Sequence, residues 1–433
     1  MTLAAVQTVA AVQRIETQTA GSATTTPVAA PAPSAISTTQ VASATATPLP
    51  RVFQPRRTTP ADVVRPTRAE ISLSNLRSNL RALSRRTAAP IWCVLKADGY
   101  GHGAKACART LERAGASGVC VALMEEGMEL RNAGIGIPVL AMGGFYGRAY
   151  TELLQHQLTP VLCDAGQVEE LGREARYRGA SEVRVHLKVD TGMSRLGMVP
   201  AEVERVARSL SSFPELLLEG LMTHFACAGD DPESVREQLR KFDEVDAALR
   251  GFGIVAERRH AANTAALVQM PETHLDIVRP GIGLFGVDPT GLSTELRPVM
   301  RVLSTVVALR ELEPGQAVGY GATWRAARRT RIATLPIGYA DGLLRNGGAQ
   351  REVLVAGKRA PVVGAVSMDL TTVDVTDIPG VNLGDEVVVL GSQKGRAGED
   401  CISASEIAKA QSTIPWEVLT QVSRRVPRFY RDA

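Results

Sequence analysis

The chain has 433 residues, enough for two sizeable domains and a tail. Its net charge of +4 is small for that length and makes no case for nucleic acid or an anionic membrane surface as a partner. Hydrophobic residues make up 45% and aromatic ones only 4%, so the cores must be built from Ala, Val, Leu and Ile.

Residues 1–66 are rich in Ala, Thr, Ser, Val and Pro, and residues 37–49 read STTQVASATATPL. Such a segment lacks periodicity and large apolar side chains, so it is expected to be a disordered tail. A secretory signal opens with a basic region followed by an apolar run. Here the first basic residue is Arg14, and Thr and Gln interrupt the apolar residues. A cytoplasmic protein is expected, with export through the tail as the alternative. No run of about 18 uncharged apolar residues follows, so no membrane span is expected.

From residue 67 short apolar runs alternate with amphipathic stretches. Strands are predicted at Ile91–Leu95, Gly118–Ala122, Pro138–Ala141, Thr159–Leu162, Arg184–Val189, Glu219–Met222 and Ile277–Val278. Helices are predicted at Gly103–Ala114, Met124–Ala133, Ala201–Ser211 and Ser234–Gly251. Seven or eight such units over 67–297 fit an α/β barrel of the (β/α)8 type. A doubly wound sheet is the alternative, but no GxGxxG follows the first strand. Residues 298–433 change character. Runs such as Val299–Leu309, Arg331–Ile337, Arg351–Val355, Pro361–Val366, Thr371–Val375 and Glu386–Leu390 are rich in β-branched residues and separated by turns. They predict a mostly antiparallel β domain with one late helix, Ser403–Ala410, where Ser403 and Glu406 have capping-box spacing. The six cysteines are scattered without a CxxC pair, which suits a reducing compartment and argues against a metal site.

In a barrel, the loops after the strands form the active face. Lys96 follows the first predicted strand in VLKADGYG, where partial desolvation would lower its pKa and expose a nucleophilic amine. Arg195 lies in the segment after Arg184–Val189, His224 after Glu219–Met222, His260 after residues 254–256, and Arg279 with Gly281 at the last barrel strand. An amine, two arginines, two histidines and a Gly-rich backbone are the inventory for an anionic cofactor that carries a carbonyl and a phosphate.

The blocks VLKADGYGHGA, KVDTGMSRLG, LMTHFACA, HAANTA, RPGIGLFG, GYGATW, IGYADG, VGAVSMDLTTVDV and SRRVPRFY resemble, in order, those of the alanine racemase family. The resemblance runs from about Arg68 to Tyr430 and implies pyridoxal 5'-phosphate as cofactor. It implies that Lys96 holds the aldehyde as a Schiff base and is freed as an amine by the substrate. Tyr320 would be the second acid/base, reaching the site from the partner subunit of a homodimer with shared active sites. Two bases on opposite faces of a planar carbanion are what racemisation needs. Arg279 would face the pyridine nitrogen and keep it largely unprotonated. His224 would bridge Arg279 and Tyr320. Arg195 would bind the cofactor phenolate and the substrate carboxylate. Lys188 matches a lysine that is often carbamylated in this family. Tyr100, Thr264, Gly281 and Ile282 would hold the phosphate. Met368 and Asp369 would line the substrate site.

Blander readings stand beside these. Lys188 could simply pair with Asp190, His102 is a turn residue, His186 is a satisfied core histidine, and His260 supports the phosphate loop. Four positions depart from the family: Thr264 replaces a serine, Pro415-Trp416 replaces Asn-Tyr, and Arg424 replaces a tyrosine near the phosphate. Arg424 could pair with the phosphate or leave the pocket wider. The resemblance implies an enzyme that interconverts L- and D-alanine and supplies the D-isomer for peptidoglycan. The alternative in the same chemistry is a broader racemase taking Ser, Lys, Arg or other residues. Those relatives depart from the KxDTG pattern, whereas Lys188 and Asp190 keep it. A barrel-type decarboxylase would call for an acid in place of Arg279, and a carrier of the cofactor would need no β domain bearing Tyr320.

Overall fold

The computed structural model describes residues 64–145, 149–180, 182–293, 295–345 and 351–432. The expected disordered tail therefore lies outside the described residues, apart from residues 64–66.

The first strand, β1 (Arg68–Ser72), is not part of the barrel. It pairs antiparallel with Met300–Thr305 and parallel with Arg428–Arg431, so the chain enters the β domain before it builds the barrel. The helix Leu73–Ser84 follows, capped by Ser72, whose hydroxyl accepts from the Asn75 N–H.

Then come the barrel strands: β2 (Trp92–Val94), β3 (Gly118–Val121), β4 (Val139–Ala141), β5 (Thr159–Leu162), β6 (Val183–Lys188), β7 (Leu216–Met222) and β8 (Arg258–His260). They form one seven-stranded sheet in sequence order, every neighbour parallel. The predicted strand Ile277–Val278 is present only as a bridge, Ile91 to Val278. It still closes the ring. Arg279 N–H donates to Ala262 on the β8 side, and Trp92 and Val94 N–H donate to Val278 and Pro280 on the β2 side, all at 2.9 Å. The result is a closed α/β barrel, with helices such as Ala104–Arg113, Met124–Asn132, Ala165–Tyr177 and Pro232–Gly251 between the strands.

The second domain is mostly antiparallel. Met300–Thr305, Glu386–Gly395, Glu352–Val355 and Lys358–Pro361 are neighbours in one sheet, and Thr330–Leu335 sits between Ala308–Leu312 and Thr371–Asp374 in another. The late helix spans Ala404–Ala410 with Ser403 as N-cap. The reciprocal half of the capping box is missing, because the Glu406 carboxylate pairs with Arg359. Among the described residues no helix is long and apolar enough to cross a membrane.

Candidate active site

Strand β2 delivers Lys96 to the barrel mouth. The Leu95 N–H is held by the Cys120 carbonyl of β3 at 2.8 Å. The backbone then turns left-handed: φ is +54° at Ala97, +54° at Asp98, +62° at Gly99, +52° at Tyr100 and +79° at Gly101. Each non-glycine residue in that region costs about 1–2 kcal/mol, so the turn must be held from outside. Asp98 Oδ1 accepts from the Ala104 N–H at 2.8 Å. His102 is fully buried, and its Nδ1 faces the Gly99 and Tyr100 carbonyls at 3.0 and 2.8 Å, so Nδ1 carries the proton. Burial pushes the His102 pKa down to about 4 in spite of those two acceptors. The Lys96 amine is shifted below its ordinary pKa, first by burial and then by the Arg195 cation, with Glu126 opposing.

Beside the lysine lies a small cradle. Thr264 Oγ1 accepts from the Gly281 and Gly283 N–H groups at 3.0 and 3.3 Å. A Cβ on Gly281 would stand 2.2 Å from the Tyr100 hydroxyl, and one on Gly283 would stand 2.7 Å from Thr264 Cγ2. Two hydroxyls and bare backbone are thus held against each other, a surface shaped for an anion.

Arg279 closes the floor and is 2% exposed. One guanidinium nitrogen donates to the Thr223 and Ala261 carbonyls at 2.8 and 3.1 Å, and the other donates to His260 Nδ1 at 2.5 Å. Burial lowers the Arg279 pKa to about 10, which leaves the cation intact at neutral pH. Behind it, His260 Nε2 meets His186 Nδ1 at 2.8 Å, and His186 Nε2 lies 3.5 Å from Glu219 Oε2. His186 fits inside the barrel because Gly220 stands opposite: a Cβ there would lie 2.4 Å from the ring.

Lys96, Tyr100, His224, Thr264, Arg279, Gly281 and Ile282 all line one cavity of about 510 Å³. His224 is pushed down to about 3 by burial, then by the cations of Arg279, Lys188, Lys96 and Arg195, so it is neutral. The expected contact of His224 with Arg279 differs in the structure: the imidazole that hydrogen-bonds the guanidinium is His260. Lys188 is buried and shifted down by that burial, with Cys163 opposing and Arg195 and Arg279 adding to the fall. No ion pair joins Lys188 to Asp190 among the described residues. The Asp190 carboxylate instead accepts the N–H groups of Gly192, Met193 and Ser194. Tyr320, Met368, Asp369 and Arg424 line no part of this cavity; Tyr320 is 70% exposed, and Asp369 pairs with Arg425. Ser405, Pro415 and Trp416 of the β domain do line it. The chain of His260, His186 and Glu219 was missed by sequence reasoning. Its trace was Arg184, His186 and Lys188 at alternate positions of β6, polar residues on one face of a buried strand.

A lysine whose pKa is lowered by burial and a neighbouring cation, set at the mouth of a closed barrel beside an anion cradle, suits acid/base chemistry on an amino acid. The relatives make this specific: the chain belongs to the alanine racemase family. Residues 71–289 match the family's "Alanine racemase, N-terminal domain" and residues 299–430 its "Alanine racemase, C-terminal domain". It is 54% identical to the alanine racemase of Sorangium cellulosum over 85% of this chain and 100% of that one. It is 43% identical to the alanine racemase of Symbiobacterium thermophilum over 85% and 98%. Among solved structures, the alanine racemase of Streptomyces coelicolor superposes with TM-score 0.79 at 35% identity, covering 86% of this chain and 100% of that one. That of Bacillus anthracis with bound L-Ala-P superposes with TM-score 0.79 at 32% identity, over 85% and 96%.

Proposed function

We propose that this protein interconverts L- and D-alanine with pyridoxal 5'-phosphate as cofactor, using Lys96 and Tyr320 as the two proton carriers. The observation that carries the reading is that Lys96, Arg279 and the Tyr100–Thr264–Gly281 cradle share one cavity. The residues fit the cofactor. The cradle, which a Cβ on Gly281 would fill, suits a phosphate, together with the Ile282 backbone. Arg279, locked by two carbonyls and an imidazole, suits the ring nitrogen as a fixed cation. Bound there, the cofactor supplies the electron sink that makes an amino acid's Cα proton removable.

The protein's own groups do the rest. Lys96, its pKa lowered by burial and Arg195, takes or returns the proton on one face of Cα. Tyr320 serves the opposite face. Its exposure and its absence from the cavity of its own chain support delivery from a second subunit, in a homodimer whose sites are shared. Arg195 binds the substrate carboxylate, Met368 and Asp369 bound the substrate from the same partner, and Lys188 is the carbamylation site that orients Arg195. His224, held neutral by burial and by the surrounding basic groups, adds no further charge to the site. Arg424 is exposed, so its part in holding the phosphate is the weakest of these roles. The D-alanine made in the cytoplasm would feed peptidoglycan.

The test is the product. L-alanine should yield D-alanine without release of CO2, borohydride should fix the cofactor on the Lys96 peptide, and Tyr320→Phe should lower turnover about 100- to 10,000-fold. Fixation on another lysine, or near-normal turnover in Tyr320→Phe, would overturn the reading.

A further inference from the structure

The left-handed turn that carries Lys96 is tied to the next barrel unit by a single carboxylate. Glu126 lies in the first turn of the helix Met124–Asn132. Its Oε1 accepts from the Ala97 N–H at 2.5 Å, the amide directly after the lysine. Its Oε2 accepts from the Ala122 and Leu123 N–H groups at 2.8 and 3.1 Å, in the loop after β3. The carboxylate is thereby spoken for by three backbone donors from two loops. Hydrogen bonds to an ionised acceptor are about twice as strong as neutral ones. On the other side of the lysine, the Leu95 N–H is fixed to Cys120 of β3. The residues on either side of Lys96, Leu95 and Ala97, are therefore both held through their N–H groups, and both holds come from the β3 unit.

We propose that Glu126 is a positioning residue for Lys96: it fixes the strained turn behind the lysine and sets a negative charge beside its amine. This rests on Lys96 as the residue that takes the cofactor. Two jobs follow from one side chain. The first is geometric, because Ala97 begins the run of positive φ and its N–H would otherwise lack this acceptor. The second is electrostatic. The charged and titratable groups around the amine are Arg195 after β6, His224 after β7, Arg279 across the cavity, Tyr100 on its own turn and Glu126; Arg195 favours the neutral amine and Glu126 the ammonium. Glu126 thus opposes the fall that burial and Arg195 impose on the lysine pKa.

The two jobs separate experimentally. Full-length protein freed of cofactor is mixed with pyridoxal 5'-phosphate over a range of pH and quenched with borohydride, and the labelled Lys96 peptide is quantified by mass spectrometry. In Glu126→Gln, which keeps the size but loses the charge and one of the two accepting oxygens, the pH midpoint of capture should fall by about one pH unit. In Glu126→Asp, which keeps the charge but draws back from Ala97, the midpoint should hold while capture slows about tenfold or more. Glu125→Gln, the same charge change one residue away, should alter neither. A midpoint in Glu126→Gln equal to that of the unaltered chain, a capture rate in Glu126→Asp equal to it, or an equal effect in Glu125→Gln overturns the proposal. If Glu126→Gln does not fold, the rate in Glu126→Asp decides alone. Capture on a lysine other than Lys96 in the unaltered chain overturns the reading of the site, and this inference with it.

Discussion

The guanidinium of Arg279 donates to Nδ1 of His260 at 2.5 Å, and that contact fixes the protonation of two histidines. An arginine cannot accept, so His260 Nδ1 must, which places the His260 proton on Nε2. Nε2 then donates to His186 Nδ1, and the His186 proton is left on its own Nε2, facing Glu219 at 3.5 Å. The two hydrogen bonds run one way, out from a buried cation through two neutral rings, and the last N–H faces a buried carboxylate without bonding it. No carboxylate touches Arg279 among the described residues, and Glu219 pairs instead with Arg184 at 3.4 Å.

His260→Ala removes the acceptor and leaves a buried charged donor unpaired. Stability should fall by about 2–3 kcal/mol, the range for losing a partner of a charged group. Denaturant unfolding of the variant checks it, and an unchanged midpoint would show that Arg279 does not depend on the imidazole.

The shared-site arrangement can be tested by mixing two dead enzymes. Lys96→Ala and Tyr320→Phe should each be inactive. In a heterodimer one composite site collects both defects and the other collects neither. Random exchange makes about half the dimers mixed, so activity should recover to about one quarter of unaltered sites. Tagged heterodimers that form and stay inactive would refute shared sites.

Gly281→Ala should weaken cofactor binding while leaving the fold in place. The added Cβ would stand 2.2 Å from the Tyr100 hydroxyl, so the cradle must open. Adding Tyr100→Phe to that variant removes the colliding oxygen and should recover part of the affinity, read by absorbance titration with pyridoxal 5'-phosphate. Equal affinity in Gly281→Ala and the unaltered chain would place the phosphate elsewhere.

Acid should destabilise the protein well above the carboxylate range. His102, His186, His224 and His260 all have pKa values lowered by burial, His102 to about 4 and His224 to about 3. In the unfolded chain they titrate near 6.5. As pH falls below 6.5 the unfolded state binds protons that the folded state refuses, so stability declines; the His102 share ends as that ring titrates in the fold near 4 and the His224 share near 3. His102 alone accounts for up to about 3 kcal/mol across that window. Urea unfolding at pH 7 and pH 5 measures the loss; equal free energies at the two pH values would contradict it.

What the sequence revealed and what it hid divide along physical lines. Lys96, Thr264, Arg279 and Gly281 were legible because each sits at the end of an apolar strand or in a Gly-rich turn, local signals that need no partner. The link from Arg279 to Glu219 joins the closing segment to three barrel strands, β8, β6 and β7. It depends on register, including the irregularity between Val185 and His186 where β6 meets β7, which no local pattern encodes. His260 accordingly read as support for the phosphate loop, although its contact is with Arg279. β1 escaped notice for the same reason: its partners are Met300–Thr305 and Arg428–Arg431, at the other end of the chain. The strand Ile277–Val278 was expected from composition, yet it survives only as a bridge because the chain turns into the Gly281 cradle directly after it.

That bridge is the seam of the ring, and the site straddles it. Lys96 stands just past β2 on one side, and Arg279 and Gly281 stand just past Val278 on the other. During synthesis the lysine is made early, but its cation and its anion cradle arrive only with the last barrel segment. Joining those ends closes the longest loop in the barrel and is the step with the largest entropic cost of contact. A chain with an open ring has an amine without a floor. Tight retention of the cofactor therefore doubles as a certificate of assembly: a molecule that holds it has finished the barrel.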